Sequence, residues 1–275
     1  MTEFALRPLT VGEIIDQSLK IYRRSFSPMV MIALLANVVP VALGVFVVMS
    51  GGIEANPILW GVNVLFSLVM GALATAATVF LVSERYLGRQ IGAGEAILRA
   101  IKFIGPLIVL SLGVGLSIGI GFVLLVIPGI IIMCGLLVST QAMVLEDLSA
   151  GAAMSRSWDL TKGFRGKLFG LVFLVAVLIM LPSVVVTFFT APSQADYADI
   201  EALRRKIIVA TAIQQVITVI LYPLLYTALT IAYYDLRIRK EGFDLELLES
   251  TLQHPAALPG RPSGSRELPQ PPSRG

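Results

Sequence analysis

The 275-residue chain is 56% hydrophobic and 14% charged, with a formal net charge of +3 and a mean hydropathy of +0.84. Soluble domains carry about 25% charged residues, and a chain this poor in them cannot cover a water-facing surface, which excludes an ordinary soluble domain. The pI near 9.1 does not indicate nucleic acid, because the basic residues are dispersed beside apolar stretches and form no single patch.

Every Asp, Glu, Lys and Arg lies outside six apolar stretches, near 29–49, 58–83, 106–127, 130–145, 168–190 and 207–234. A charge at mid-bilayer costs roughly 2.5–3.5 kcal/mol, so the pattern predicts six lipid-crossing segments. A helix needs about 20 apolar residues to cross, and only 130–145 falls short. That run is either a short span or half of a re-entrant hairpin with 106–127. The expected fold is an all-α polytopic membrane protein with six transmembrane helices and three cytoplasmic-side amphipathic interfacial helices.

The segment before the first span opens with Thr10 and Glu13, a capping box in which each side chain satisfies the other residue's free backbone N–H. Asp16 and Lys20 follow at i,i+4, a spacing that pairs side chains. The first apolar run is too long for a cleavable leader, so an uncleaved first span is expected. Span one holds Asn37 and Pro40. Span two holds Asn63 and Gly71, beside Ala72, Thr75 and Ala76.

After span two, Gly92 and Glu95 keep half of the capping pattern, with Glu95 and Arg99 at i,i+4. Span three carries a small-residue pair, Gly115 and Gly119, of the kind that lets helix backbones approach within one chain or between two. Pro128-Gly129 reads as the tight turn of a hairpin before span four. That span holds Cys134, expected to pack, and Gln141. Ser149 then begins a third polar segment as an N-cap without the matching acid, followed by Arg156 and Asp159 at i,i+3. The three caps align Val11, Ala93 and Ala150, then Ile15, Ile97 and Met154, then Leu19, Ile101 and Trp158, on one helical face. This suggests three units, 1–91, 92–148 and 149–248, each an interfacial helix followed by a hairpin of spans.

Ser193 and Asp196 resemble a cap opening a helix that continues into span six, where Gln214, Gln215 and Pro223 lie. Pro182 sits in span five. From 249 to 275, Pro, Gly, Ser and Arg dominate, and a disordered tail is expected.

Basic residues alternate between the gaps: Arg7, Lys20, Arg23 and Arg24 precede span one, while 50–57 holds none. By the positive-inside rule both termini are expected in the cytoplasm of a plasma-membrane protein. Arg204, Arg205 and Lys206 depart from the alternation, balanced by Asp196, Asp199 and Glu201.

No catalytic, cofactor or metal site is expected, since the only histidine is His254. Glu84, Glu146, Asp147 and Asp235 stand at span ends, either as an acid/base pair or, more simply, solvated or paired with Arg85, Arg237 or helix termini. Coupled carriers usually keep an ionisable group near mid-bilayer, and these spans have none. Asn37, Asn63, Gln141, Gln214 and Gln215 either line a solute path or hydrogen-bond between helices, the simpler use.

Arg7-Pro8-Leu9-Thr10-Val11-Gly12-Glu13, running on through Tyr22-Arg23-Arg24, resembles the opening of the glycerophosphoryl diester phosphodiesterase membrane-domain family. Ile127-Pro128-Gly129, Glu146 with Ser155-Arg156-Ser157-Trp158-Asp159, and Tyr233-Tyr234-Asp235-Leu236-Arg237 agree with it. The resemblance implies the membrane module alone, because the family's phosphodiesterase chemistry belongs to a separate soluble barrel that is absent here. The expected role is a non-catalytic envelope accessory or scaffold protein contacting the lipid bilayer, anionic headgroups, and a membrane-protein partner or second copy. The alternative is a permease for a small or lipid-like solute.

Overall fold

The computed structural model describes residues 7–193 and 199–242. The expected cap at Asp196, the tail and His254 lie outside the described residues. Eleven helices follow in chain order among them: α1 (Val11–Arg24), α2 (Phe26–Met49), α3 (Gly52–Ala55), α4 (Pro57–Tyr86), α5 (Ala93–Ile101), α6 (Ile104–Leu124), α7 (Val126–Gly135), α8 (Ser139–Glu146), α9 (Ala150–Thr161), α10 (Arg165–Thr190) and α11 (Ile200–Glu241). Six stretches are long and apolar enough to cross a membrane: α2, α4, α6, Val126–Glu146, α10 and α11. One short helix, α1, α5 or α9, precedes each pair of them.

Large apolar side chains such as Val38, Leu65, Leu112 and Phe173 are exposed along these helices. An apolar outer surface of this extent suits lipid as the surrounding solvent. The packed core is concentrated at one end of the bundle. Burial on α4 begins only at Ala76 and on α11 only at Val219, while α10 has no buried residue beyond Ile179. Burial is thus concentrated at the end where α4 and α11 finish and is sparse toward the end bearing Gly52, where Val47 is an exception.

The local signals at α1 behave as expected. Glu13 N–H donates to Thr10 Oγ1 at 3.3 Å and Thr10 N–H to Glu13 Oε2 at 2.7 Å, completing the capping box. The Thr10 backbone N–H, with Arg7 beside it, holds the Glu13 carboxyl down at about 2. A depressed folded value means that the box contributes fully above the ordinary carboxyl value of 4.5 and is lost as pH falls toward about 2. Protection of the Thr10 and Glu13 amides, taken relative to the intrinsic exchange rate at each pH, should therefore fall across that interval, and in Glu13→Gln it should not change with pH there. Unchanged protection in the native chain down to the lower limit would show that the box does not hold α1.

Ser149 sits at the N-cap of α9, but its side chain makes no capping hydrogen bond, so the capping role expected of it is not realised. The last span starts from Asp199, whose carboxylate accepts from Glu201 and Ala202 N–H at 2.9 and 3.2 Å. Asp199 is thus the cap of the last span among the described residues.

The aligned residues of α5 and α9 face the core only in part. Ala93, Ala96 and Ala100 are buried on α5 and Ile97 packs half-buried against the core, while Leu98 and Ile101 stay exposed. Ala153, Ser157 and Leu160 are buried on α9, and Met154 packs half-buried beside them. Small side chains let these helices approach the spans closely.

Span four is a broken helix, with α7 and α8 separated at Leu136–Val138. Ser157 Oγ and Thr161 Oγ1, both on α9, donate to the Gly135 carbonyl at 2.8 and 3.1 Å, and Val138 N–H donates to Ser157 Oγ at 3.3 Å. Backbone groups released by the break are satisfied by protein, as an irregular stretch at membrane depth requires.

Pro128-Gly129 does not form the hairpin tip. The chain turns at Leu125, which is extended (φ −168°, ψ 157°), and Pro128 lies in the first turn of α7. A helix's first turn has free N–H groups in any case, so proline loses nothing there. A Cβ on Gly121 would lie 2.9 Å from the Gly129 Cα, so the hairpin closes on a glycine pair. Gly115, Gly119 and Gly71, the expected packing glycines, would meet nothing within 4 Å. Helix packing within the chain falls instead on Gly121, Gly129 and Gly135, because spacing identifies a small-residue surface without its partner.

Candidate functional site

Two polar constructions emerge from this architecture: a crevice at the loose end of the bundle and an ion-paired base at the tight end. The crevice lies between α2, α4 and α11. One lobe of about 370 Å³ is lined by Asn37, Pro40, Asn63, Ser67, Gln215 and Thr218, among others. A second lobe of about 350 Å³ includes Trp60, Ile207 and Gly52 and shares Gly44, Asn63 and Thr211 with the first. Ligand pockets commonly begin at this size, and bundle interiors are a usual place for them.

Helical spacing puts these residues together. Thr211, Gln215 and Thr218 stand at i, i+4 and i+7 on α11, and Asn63, Ser67 and Gly71 at i, i+4 and i+8 on α4. Each set forms one stripe along its helix. Gly44 brings α2 close to α4, since a Cβ there would lie 3.4 Å from Asn63 Nδ2.

Three of the five amides named from the sequence therefore converge, and they differ in their bonding. Asn37 Nδ2 donates within its own helix to the Ala33 carbonyl at 2.7 Å. Asn63 Oδ1 and Gln215 Oε1 are shielded and have no hydrogen-bond partner. Gln214, one residue away and hence on another face, donates to Ser183 Oγ on α10 at 2.8 Å. Gln141 is buried on α8, away from the crevice lining, and its Oε1 also lacks a partner. Interhelical hydrogen bonding by a side-chain amide within the spans thus accounts for Gln214. Ser67, Thr211 and Thr218 went unnoticed in the sequence; a polar stripe of helical period through an apolar run was the available signal.

The base is organised around Asp235, only 1% exposed. Its Oδ1 accepts from the Leu9 backbone N–H at 2.6 Å, and its carboxylate pairs with Lys167 and with Arg239 at 3.1 Å. Lys167 Nζ and Arg239 Nη2 also donate to the Leu9 carbonyl at 2.6 and 2.7 Å. Both polar groups of one backbone residue are therefore held by the start of α10 and the end of α11. Nearby, Arg156 pairs with Glu146 at 2.8 Å and Glu241 at 2.5 Å, Tyr233 Oη donates to Glu146 at 2.6 Å, and Arg237 meets Glu241 at 3.0 Å. Glu241, with Glu146 opposite, holds the Arg156 guanidinium above its ordinary pKa. Tyr234 and Ser83 share a 2.6 Å hydrogen bond.

These partners differ from the expected ones. Glu84 pairs with Arg89 and Arg99, Asp147 with Lys102, and Glu146 and Asp235 with the groups just described. Arg156 reaches away from Asp159, whereas the i,i+4 pairs Asp16 with Lys20 and Glu95 with Arg99 form. All four span-end carboxylates are engaged by cations.

Among the described residues, fold and site together define an all-helical architecture with six membrane-crossing-length helices, a polar crevice in one half and ion-paired closure in the other. A family model described as a domain of unknown function (DUF7847) matches residues 86–236, more than half of the chain, and the chain belongs to that family. The match includes Glu146, Arg156, Lys167 and Asp235 and excludes α1 and α2. No curated protein and no solved structure matches the chain.

Proposed function

We propose that this chain is a non-catalytic integral membrane protein that takes a lipid-like solute into the crevice between α2, α4 and α11, as a permease does at one stage of its cycle. The observation that carries this reading is the convergence of Asn37, Asn63, Ser67 and Gln215 on a cavity lined by no charged side chain. Asn63 Oδ1 and Gln215 Oε1 are shielded where they stand and have no partner; a buried polar atom without a partner costs about 1–3 kcal/mol, a cost removed when the amide turns toward a hydrogen-bonding occupant. Against catalysis stands the engagement of Glu84, Glu146, Asp147 and Asp235 by cations outside this cavity.

The same reading puts the ion-paired base at the cytoplasmic face of the plasma membrane, with both termini on that side, because the basic gaps gather there. Resemblance to the glycerophosphoryl diester phosphodiesterase membrane module belongs to it too. Its quoted residues Leu9, Glu146, Arg156, Tyr233 and Asp235 meet at the base.

In proteoliposomes, a fluorescent single-chain amphiphile should exchange between leaflets faster than in protein-free vesicles. Gly44→Leu, which fills the shared part of the crevice, should return exchange to the protein-free rate. Native protein that gives no acceleration would overturn the permease reading. The exposed Lys20, Arg89 and Lys102 favour the second reading, an accessory protein gripping anionic headgroups with its basic rim. Under that reading, α1, α5 and α9 lie at the interface, and the outward Gly115 and Gly119 offer a face for a partner or second copy.

A further inference from the structure

The chemistry of the crevice restricts what it can hold, on the premise that it is a solute site. Neither lobe is lined by Asp, Glu, Lys or Arg. A headgroup bearing a net charge would lose its hydration there and gain no counter-charge, a far larger cost than burying a hydroxyl. The polar groups present are side-chain amides and hydroxyls: Asn37, Asn63, Ser67, Thr211, Gln215 and Thr218. A primary amide can turn its oxygen or its NH2 toward the same space, so the group that suits it both donates and accepts, as a hydroxyl does.

The rest of the wall is apolar. Pro40, Val41, Val45 and Ile207 flank the polar stripe, and the neighbouring outer faces expose Val38, Val62 and Leu65. A hydrocarbon chain attached to the hydroxyl group would run along these faces, with no need for a water-filled route. Charged lipids would stay at the basic end of the protein, where Lys20, Arg89 and Lys102 are exposed.

We infer that the crevice is a binding site for a neutral amphiphile bearing a free hydroxyl, held through Asn63 and Gln215, and that it rejects the corresponding anion and cation. This rests on the solute-site reading above and adds the headgroup chemistry to it.

The test uses the full chain in lipid nanodiscs and three photoreactive long-chain probes that differ only in headgroup: an alcohol, a carboxylate and an amine. Labelled peptides are located by mass spectrometry. The alcohol should label the crevice segments of α4 and α11 roughly tenfold more than either charged probe. Asn63→Leu or Gln215→Leu should cut that labelling severalfold, while Gln214→Leu, outside the crevice, should leave it unchanged. Excess glycerol should not compete; competition would assign the site to a free polyol and overturn the lipid-borne part. Equal labelling by all three probes would overturn the selection for neutral headgroups while leaving the solute site standing. Absence of crevice labelling by any probe would remove both.

Discussion

Asp235→Ala should be the most destabilising single side-chain truncation at the base, costing roughly 3–5 kcal/mol, the usual result of leaving buried charge without its partner. The carboxylate is almost wholly enclosed and serves three groups at once: Leu9 N–H, Lys167 and Arg239. Its removal leaves two cations facing each other across the Leu9 carbonyl, to which both already donate. Asp235→Asn should cost less, because an amide still accepts from Leu9, but it should not match the native protein. Thermal and denaturant unfolding in mild detergent measure this, and amide exchange at Leu9 locates it. A native unfolding midpoint in Asp235→Ala would mean that the base does not hold α1 against α10 and α11.

The second large effect is steric. Gly135→Ala puts a Cβ within 2.4 Å of Trp158 Cε3 and 2.5 Å of Cζ3, a separation that real Cβ atoms do not tolerate. The ring cannot swing aside freely. Arg165 stacks over it at 3.9 Å, and Ser157 and Thr161, on the same helix, are bonded to the Gly135 carbonyl. Overpacking of this kind typically costs about 1–3 kcal/mol. Because the conflict is between two named groups, Gly135→Ala combined with Trp158→Ala should be more stable than the sum of the single losses. A coupling of about 0.5–3 kcal/mol is expected for residues in contact, and strict additivity would show that the ring does not seat on Gly135.

The sequence reveals the number and approximate limits of the spans because charge exclusion is a property of composition, readable without knowing any contact. It also reveals the capping box at Thr10 and Glu13, whose partners are three residues apart. What it hides depends on distance along the chain. Asp235 meets Leu9 from 226 residues away and Lys167 from 68, and neither pairing leaves a local trace. The edge carboxylates could therefore be recognised as paired in kind, but their partners could not be named.

The amides show the same divide. Asn37, Asn63 and Gln215 stand out as polar groups in apolar runs, yet Gln214 looks equivalent to Gln215 until the helix is oriented. One residue is about 100° of rotation, enough to send one amide to the crevice and the other to Ser183. Small-residue spacing misleads for a related reason. Gly115 and Gly119 mark a smooth strip on α6, whereas the close approach occurs at Gly121 and Gly129, joined by a turn at Leu125 that no glycine or proline announces.

The clasp on Leu9 also sets an order of events during synthesis. The carboxylate that grips it is encoded well downstream, so at about 5–20 residues per second the segment waits roughly 11–45 s between the appearance of Leu9 and that of Asp235, 226 residues later. Through that interval α1 has no finished seat. Helix α1 leaves the ribosome before α10 and α11 yet is secured only once both have followed, and a nascent chain halted before α11 would hold the basic Arg7–Arg24 stretch without its seat.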